Sequence, residues 1–254
     1  MTGRCFLGGL LFVTVTAGPL GGQAAQDQGG RINPLYILTP KPGMNRQLEE
    51  GMKRHLAWHT KQNDSRSFTV SNVIFGDDLG TYRVVYANLR WQDLDAAAPL
   101  TAGDQADVAL NIAPYVESVV SRVLLRQDTL SRVPVGEPAK AMSVVTYVYL
   151  NQGKGPEYFD YLAKLKQAYD KANSAFRYWV ASQISGADGP LFVTVRPIEK
   201  FADNTPPQTR QVLVAAYGEL EADRLLNVPD IAVRRTASFI TVNRRDLSYT
   251  PAPR

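Results

Sequence analysis

Cysteine and histidine are scarce in this chain of 254 residues, which contains one cysteine and two histidines. A single cysteine cannot form an intramolecular disulfide, and it cannot build the multi-cysteine ligand sets of zinc or iron–sulfur sites. Two histidines leave little for a metal site made of imidazoles alone. The chain also lacks a Gly-x-Ser-x-Gly elbow, a Walker A loop and a Rossmann glycine fingerprint, so no familiar catalytic or nucleotide-binding motif is present.

A strong excess of one charge sign is also missing. Lysine and arginine total 28 against 24 aspartates and glutamates, a net charge of +4. Nucleic-acid binders concentrate basic residues on one face, whereas here the only basic clusters are two Arg-Arg pairs, at Arg234 and Arg244, in strand-like segments. We therefore predict an ordinary globular protein with no nucleic-acid partner.

Long hydrophobic runs are absent as well, so we predict no transmembrane segment, which would need about 20 apolar residues. The short apolar run at residues 6–15 follows Arg4 and precedes glycines, a proline and small residues. That order predicts a secretory signal peptide over residues 1–25, followed by a flexible lead-in over residues 26–33. We expect export to the periplasm or the medium, without Cys5, which leaves with the signal.

An internal repeat accounts for most of the remaining chain. Residues 34–95 and 144–203 run in the same order through an apolar strand, a helix and two strands joined by a glycine-containing turn. Apolar residues at helical spacing predict one helix over residues 45–62 and another over residues 156–172. A second helix and a last strand follow in each copy, so each reads β-α-β-β-α-β, the ferredoxin-like order.

We therefore predict an α+β fold of two tandem ferredoxin-like repeats, over residues 34–132 and 142–250, joined by a linker at residues 133–141. A lone repeat would leave one face of its sheet uncovered. Two repeats in one chain can cover these faces for each other, packed sheet to sheet as an intramolecular α/β barrel. Because the second repeat takes the place of a partner subunit, we expect a monomer with an internal pseudo-dimer.

This arrangement resembles the dimeric α/β-barrel superfamily in a single-chain, two-repeat form, and within it the NIPSNAP-like and antibiotic-monooxygenase-like domains. The resemblance covers most of residues 34–250 and rests on the order of elements more than on shared motifs. Some members of the superfamily bind haem in their barrels, so the resemblance makes haem a candidate cofactor. The fold hosts many unrelated functions, and the resemblance therefore implies no particular activity.

The densest group of functional side chains lies on the first predicted helix, where Trp58 stands between His55 and His59. The two histidines are four residues apart and share one helix face, a spacing that can chelate a metal. The zincin motif, however, has a glutamate directly after its first histidine, and Leu56 stands there. The second repeat has a lysine and an aspartate at the matching positions. We favour a structural histidine pair over a metal or haem ligand pair, and we assign no metal ligand.

Aromatic residues on the predicted strands are further candidates for binding a ligand. Rings with a polar tip, such as Tyr86 and Tyr147, are good lining for a pocket that takes an apolar molecule. Trp91 and Asp93 end the third strand of the first repeat. They could close the barrel and bond a histidine of the first helix, but we favour a strand end in which Trp91 packs in the core and Asp93 caps the next turn. Together with His55, Trp58 and His59, these residues predict a site for a small apolar or aromatic ligand.

Three functions fit these observations. The leading hypothesis is an exported module that binds a small molecule or serves in a stress response, without strong catalysis. The alternative from the enzyme class is a haem- or metal-dependent oxygenase-like enzyme that uses His55 or His59. The third is a structural or interaction protein. The cofactor is left unassigned, with haem as the runner-up.

One preparation distinguishes these hypotheses: residues 26–254, purified without added ligand and measured by visible spectroscopy and native mass. A Soret band lost in His55→Ala or His59→Ala would favour the haem enzyme. A colourless protein with an extra organic mass would favour ligand binding. No bound species, and no thermal shift with metals or hydrophobic molecules, would favour the interaction role.

Overall fold

The computed structural model of this protein describes residues 31–96, 98–186 and 189–251. The predicted signal peptide lies outside the described residues, as does the predicted lead-in before Arg31. Within the described ranges, no helix combines the length and hydrophobicity needed to cross a membrane.

The described chain forms eight strands and six α-helices. The strands are β1 (Ile32–Pro40), β2 (Phe68–Phe75), β3 (Tyr82–Tyr86), β4 (Val116–Arg126), β5 (Met142–Leu150), β6 (Trp179–Ser185), β7 (Leu191–Ile198) and β8 (Val233–Asn243). The helices are α1 (Asn45–Gln62), α2 (Trp91–Ala96), α3 (Ala98–Asn111), α4 (Gly155–Lys171), α5 (Thr209–Tyr217) and α6 (Glu219–Ala232). Helix α1 follows β1 and α3 precedes β4, while α4 follows β5 and α6 precedes β8.

The eight strands form one closed antiparallel barrel in the order β1-β3-β2-β8-β5-β7-β6-β4. Two junctions join the halves of the chain, because β2 pairs with β8 and β4 pairs with β6. The prediction of two ferredoxin-like repeats packed sheet to sheet is therefore wrong. Two stacked sheets would each keep a pair of unpaired edge strands, whereas closure of the barrel satisfies the backbone hydrogen bonds of all four edges.

Side chains on the inner face fill the barrel. Side chains alternate along a strand, and Leu35 and Ile37 of β1 pack inside with Tyr147 and Phe239 from the second half. Arg83 also lies inside, 3% exposed, with its guanidinium carbon 3.9 Å from the centre of the Phe239 ring. Residues at the alternate positions face outward, toward the helices.

The helices cover the outer face of the barrel unequally. In the second half, aromatic side chains fill the space between α4 and the sheet: Tyr158, Tyr161, Tyr169, Tyr178 and Phe192. The corresponding layer of the first half is smaller and mostly aliphatic, with Leu38, Leu48, Met52, Val70 and Ile112 among its buried members. The first half therefore has fewer bulky rings to fill the space beneath its helices.

Gly51 allows α1 to approach the end of α3 closely. A Cβ atom at this position would lie 1.8 Å from the backbone oxygen of Asn111, so only glycine fits. Three residues later, Arg54 Nε donates a hydrogen bond of 2.7 Å to Asn111 Oδ1. These contacts fix the position of α3 against α1.

We expect Gly51→Ala to lower the free energy of unfolding by about 1–3 kcal/mol, because the added methyl group forces the helices apart. Gly155→Ala is the matched control: it also lies in a helix, and nothing lies within 4 Å of its added Cβ. The control is expected to be neutral or to stabilise by up to about 1 kcal/mol. Urea denaturation measures both, and equal effects would contradict the close approach.

The segment after β8 is anchored to α1 through Glu49. Arg244 donates from Nη1 and Nη2 to the Glu49 carboxylate, and the Tyr82 hydroxyl donates to Glu49 Oε1 at 2.6 Å. The hydrogen bond from Arg244 holds the pKa of Glu49 below its usual value. Burial, together with the bond to Glu49, raises the pKa of Tyr82 to about 12.

We expect Glu49→Gln to lower the free energy of unfolding by about 1 kcal/mol at pH 7, since a charge-assisted hydrogen bond is weakened. A depressed pKa contributes stability above the unfolded value, about 4.3, and that stability is lost as the pH falls through the folded value. The gap between wild type and variant should therefore shrink below pH 4. A gap that stays constant between pH 3 and pH 7 would contradict this assignment.

Candidate functional site

A pocket of about 630 Å³ lies between the first-half strands and the helices α1 and α3. Its apolar walls include Leu38, Met52, Val70, Val84, Val108 and Ile112. Tyr36 and Tyr86 also line it, with their rings edge to face at 6.3 Å. Three ionisable side chains reach the same space: His55, Arg66 and Asp104. A largely apolar hollow with a few convergent polar groups is the usual form of a small-molecule site.

A second pocket, of about 710 Å³, lies beside α4 and α5 and is lined by Tyr169, Arg177 and Arg196 among others. It is larger, but neither of the two histidines of the chain borders it. The chemistry that the sequence makes available is concentrated at the first pocket.

The two histidines form a hydrogen-bonded chain with a carboxylate at each end. His59 Nδ1 lies 2.9 Å from Asp64 Oδ2, and His55 Nδ1 lies 2.8 Å from Asp107 Oδ1. Because ionised carboxylates only accept hydrogen bonds, each Nδ1 carries the proton. Both Nε2 atoms consequently turn toward each other, 3.1 Å apart. His59 is wholly buried, while His55 stands between it and the pocket.

Asp104 places a third polar atom close to the two Nε2 atoms. Its Oδ1 lies 3.3 Å from His55 Nε2 and 3.7 Å from His59 Nε2. This oxygen is buried, and no hydrogen-bond partner for it exists among the residues that the structure describes. A buried charged oxygen without a partner is costly, so the space between the three atoms favours a positive charge.

The two imidazoles by themselves do not supply that charge. If both carry their proton on Nδ1 and are neutral, they direct two lone pairs at each other across 3.1 Å. Either an extra proton or a metal ion removes this repulsion. Burial lowers the pKa of His55, and the hydrogen bond to Asp107, which raises the pKa, only partly offsets this lowering.

Asp64 fixes the orientation of the buried His59 through a hydrogen bond from its Nδ1. It accepts hydrogen bonds from Arg66 Nε at 3.0 Å and Nη2 at 2.7 Å, as well as from His59. Burial alone would raise the pKa of Asp64, but the hydrogen bonds from His59 and Arg66 outweigh it and hold the pKa well below its usual range. Arg66 in turn lies over the ring of Tyr86, 5.4 Å from its centre.

Local structure explains how these residues meet. The spacing of four residues puts His55 and His59 on one face of α1. Helix α1 ends at Gln62, and the left-handed conformation of the next residue, Asn63 (φ 51°), turns the chain so that Asp64 returns to His59. Asp104 and Asp107 are three residues apart on α3 and share the face that packs on α1.

The structure brings together four of the seven ligand-binding residues predicted from the sequence: His55, Trp58, His59 and Tyr86. The Trp58 ring stacks on His55, with centres 6.1 Å apart, and meets His59 edge to face at 5.1 Å. Tyr86 lines the pocket. Burial, and secondarily the Asp104 carboxylate, raises the pKa of Tyr86, so its hydroxyl stays protonated.

The other three predicted residues lie elsewhere. Tyr147 is inside the barrel, where its hydroxyl accepts a hydrogen bond of 3.0 Å from Arg83 Nη1. Trp91 is 53% exposed at the start of α2. Asp93 accepts a hydrogen bond of 2.8 Å from the backbone of Arg90, so it caps a turn and does not bond a histidine.

Sequence reasoning missed four polar residues of the site: Asp64, Arg66, Asp104 and Asp107. The two aspartates of α3 have a detectable signal, because they stand three residues apart within a segment predicted to be helical. Asp64 and Arg66 have no such signal, because their role depends on the turn that follows α1.

Haem, the runner-up cofactor, does not fit this arrangement. An iron bonded to His55 Nε2 would lie about 2.1 Å from it and carry a porphyrin plane across that bond. His59 Nε2 and Asp104 Oδ1, at 3.1 and 3.3 Å from the same nitrogen, occupy the space that the porphyrin needs. His59 is wholly buried and offers no other axial position.

Fold and site together define an α/β barrel with a histidine–carboxylate centre beside an apolar pocket. No protein-family model matches the chain, and no curated protein matches it. Solved structures do match. A candidate monooxygenase from Fusobacterium nucleatum superposes with a TM-score of 0.54 at 11% identity, over 88% of this chain and 99% of that chain.

Two further structures are similar. An anthrone oxidase-like protein has a TM-score of 0.50 at 13% identity, covering 85% of this chain and 94% of its own. A chlorite dismutase variant from Candidatus Nitrospira defluvii has a TM-score of 0.50 at 11% identity, over 86% and 93%. At these identities the likeness shows the fold alone, which is the α/β barrel of monooxygenase-like and chlorite dismutase-like proteins.

We expect His59→Ala to lower the free energy of unfolding by about 2–4 kcal/mol, because it leaves a cavity and removes a hydrogen bond from the buried Asp64. His55→Ala should cost less, about 1 kcal/mol, because that side chain borders the pocket and water can replace it. Urea denaturation compares the two variants. Equal losses would contradict the different burial of the two rings.

Proposed function

We propose that this protein is an oxygenase-like enzyme that acts on a small, flat, largely apolar molecule, with the reaction at His55, His59 and Asp104. The observation that carries the proposal is that His55 and Asp104 border an apolar pocket of about 630 Å³, with the buried His59 directly behind them. Burying such groups costs stability. A protein that only carried an apolar ligand would need the apolar walls and not the cluster, whereas clusters of this kind are frequent in active sites.

The names of two structures with a similar fold support an oxygen-dependent reaction. One is a candidate monooxygenase and another is anthrone oxidase-like. Anthrone is a flat, three-ring molecule with one ketone, and its size and polarity suit the pocket. Its oxidation balances as one anthrone and one dioxygen giving one anthraquinone and one water.

Two further residues suit a substrate that bears an oxygen atom. The protonated hydroxyl of Tyr86 can donate a hydrogen bond to a ketone or phenol oxygen in the pocket. The guanidinium of Arg66, which also lines the pocket, would stabilise negative charge that develops on the same oxygen when the substrate loses a proton. We therefore propose that both residues orient the substrate.

We expect the purified protein to oxidise anthrone to anthraquinone at least about tenfold faster than buffer alone. The test follows oxygen uptake with an electrode and product by absorbance, with the protein as isolated and again with added Fe²⁺. His55→Ala should return the rate to that of buffer, because it removes a group of the reacting cluster.

The second half of the chain offers a matched control. Lys166 and Asp170 stand on α4 where His55 and His59 stand on α1, and they form an ion pair of 2.8 Å. Lys166→Ala should leave the rate unchanged within about twofold, since exposed ion pairs contribute little. A wild-type rate equal to that of buffer would overturn the enzyme proposal, and anthrone binding without turnover would favour the small-molecule-binding hypothesis.

We also propose that the chain works outside the cytoplasm as a monomer. Arg4 and the apolar run at residues 6–15 support export, and the two halves that close one barrel support a single-chain equivalent of a dimer. We also propose that the protein is NIPSNAP-like within this fold group, because the order of its elements resembles that of NIPSNAP-like domains. An exported form that retains residues 1–25, or a native mass of two chains, would contradict the proposal of an exported monomer.

A further inference from the structure

We infer that α1 and α3 together bind one divalent first-row transition-metal ion through His55 Nε2, His59 Nε2 and Asp104 Oδ1. The three atoms lie within 4.8 Å of one another. The role of the ion in turnover rests on the proposed function, whereas its binding rests on the geometry and charge of the described residues. Four observations support the site: its dimensions, the orientation of its ligands, its charge and its position beside the pocket.

The dimensions of the site match metal–ligand bond lengths. The three atoms are separated by 3.1, 3.3 and 3.7 Å, so the point equidistant from them lies about 2.0 Å from each. Zinc and similar divalent ions bind histidine nitrogen and carboxylate oxygen at about 2.0–2.2 Å. An ion slightly above the plane of the three atoms lies within this range of all of them, with the three ligands on one side of it.

The ligands are oriented as metal ligands are. Each histidine donates its Nδ1 proton to an aspartate, at 2.9 Å to Asp64 and 2.8 Å to Asp107, which leaves the Nε2 lone pair free for a metal. The two aspartates are themselves fixed. Asp64 accepts hydrogen bonds from Arg66, and Asp107 accepts one of 3.1 Å from the side chain of Asn111.

The charge of the cluster also favours a dication. Three carboxylates and the guanidinium of Arg66 leave a formal charge of about −2 when the imidazoles are neutral. A proton shared by the two Nε2 atoms would neutralise half of this charge. A divalent ion neutralises all of it, and it supplies the partner that the buried Asp104 Oδ1 lacks.

The position of the site leaves one side of the ion open to the pocket. His55 and Asp104 border the pocket, and His59 lies behind them. Two histidines and one carboxylate on one side of an ion leave coordination positions free on the other, as in the metal sites of non-haem iron oxygenases. These positions face the pocket, where water or a substrate oxygen can occupy them.

The second half of the chain indicates how many metal ions one chain binds. At the positions on α4 that match the two histidines, Lys166 and Asp170 form an ion pair. A cation site cannot form around a lysine ammonium, so we expect one ion per chain.

The test uses Co²⁺ as the probe, because its visible absorption reports its coordination. The purified chain is stripped of metal with a chelator and titrated with Co²⁺ by calorimetry and spectroscopy. We expect one ion per chain and a rise in melting temperature on binding. Asp104→Asn should weaken binding by at least about 100-fold, and Asp107→Asn by about 10–100-fold. Because Asp104 Oδ1 has no hydrogen-bond partner among the described residues, Asp104→Asn should still fold.

Asp170→Asn is the matched control and should bind Co²⁺ within about twofold of wild type. Failure of the wild type to bind one Co²⁺ per chain, or equal binding by Asp104→Asn, would overturn the metal site. Tight Co²⁺ binding without anthrone oxidation would contradict only the proposed function. Anthrone oxidation by chelator-treated protein at the wild-type rate would contradict the role of the ion and leave the enzyme proposal standing.

Discussion

The site depends on two carboxylates that hold a pair of imidazoles from opposite ends. Asp64 and Asp107 each accept the Nδ1 proton of a histidine, which fixes the tautomer and turns both Nε2 atoms inward. Without these bonds, His55 and His59 would be neighbours on a helix face with no defined relation. With them, two nitrogens and the Oδ1 atom of Asp104 define a space that is suited to a cation and too narrow for haem.

This constraint explains the asymmetry of the two halves. To bring its aspartates to α1, helix α3 must pack closely, and Gly51 makes that approach possible. The first half then leaves a pocket of about 630 Å³ beside the cluster, while tyrosines and Phe192 fill the matching layer of the second half. The histidine–carboxylate cluster therefore lies in the first half, while the second half supplies four of the eight strands and has a pocket of its own beside α4 and α5.

The sequence predicts local features, such as a helix and its faces, better than it predicts how distant strands pair. Periodicity alone gives α1 with its observed bounds and places His55 and His59 on one face, because both depend on residues a few positions apart. The sequence predicts the second helix of the first half over about residues 104–119, whereas α3 ends at Asn111 and the residues from Val116 onward pair as β4. Closure of the barrel and the inward orientation of Tyr147 depend on pairing between distant strands. The contribution of Asp64 likewise depends on a turn that periodicity does not reveal.

The central claim is that one ion joins α1 and α3 beside the pocket. Anomalous diffraction at the cobalt absorption edge, from crystals of the protein grown with Co²⁺, tests it most directly. We expect one anomalous peak, about 2.0–2.2 Å from His55 Nε2, His59 Nε2 and Asp104 Oδ1. Crystals saturated with Co²⁺ that show no peak between these atoms, with the two Nε2 atoms still in hydrogen-bond contact, would contradict it.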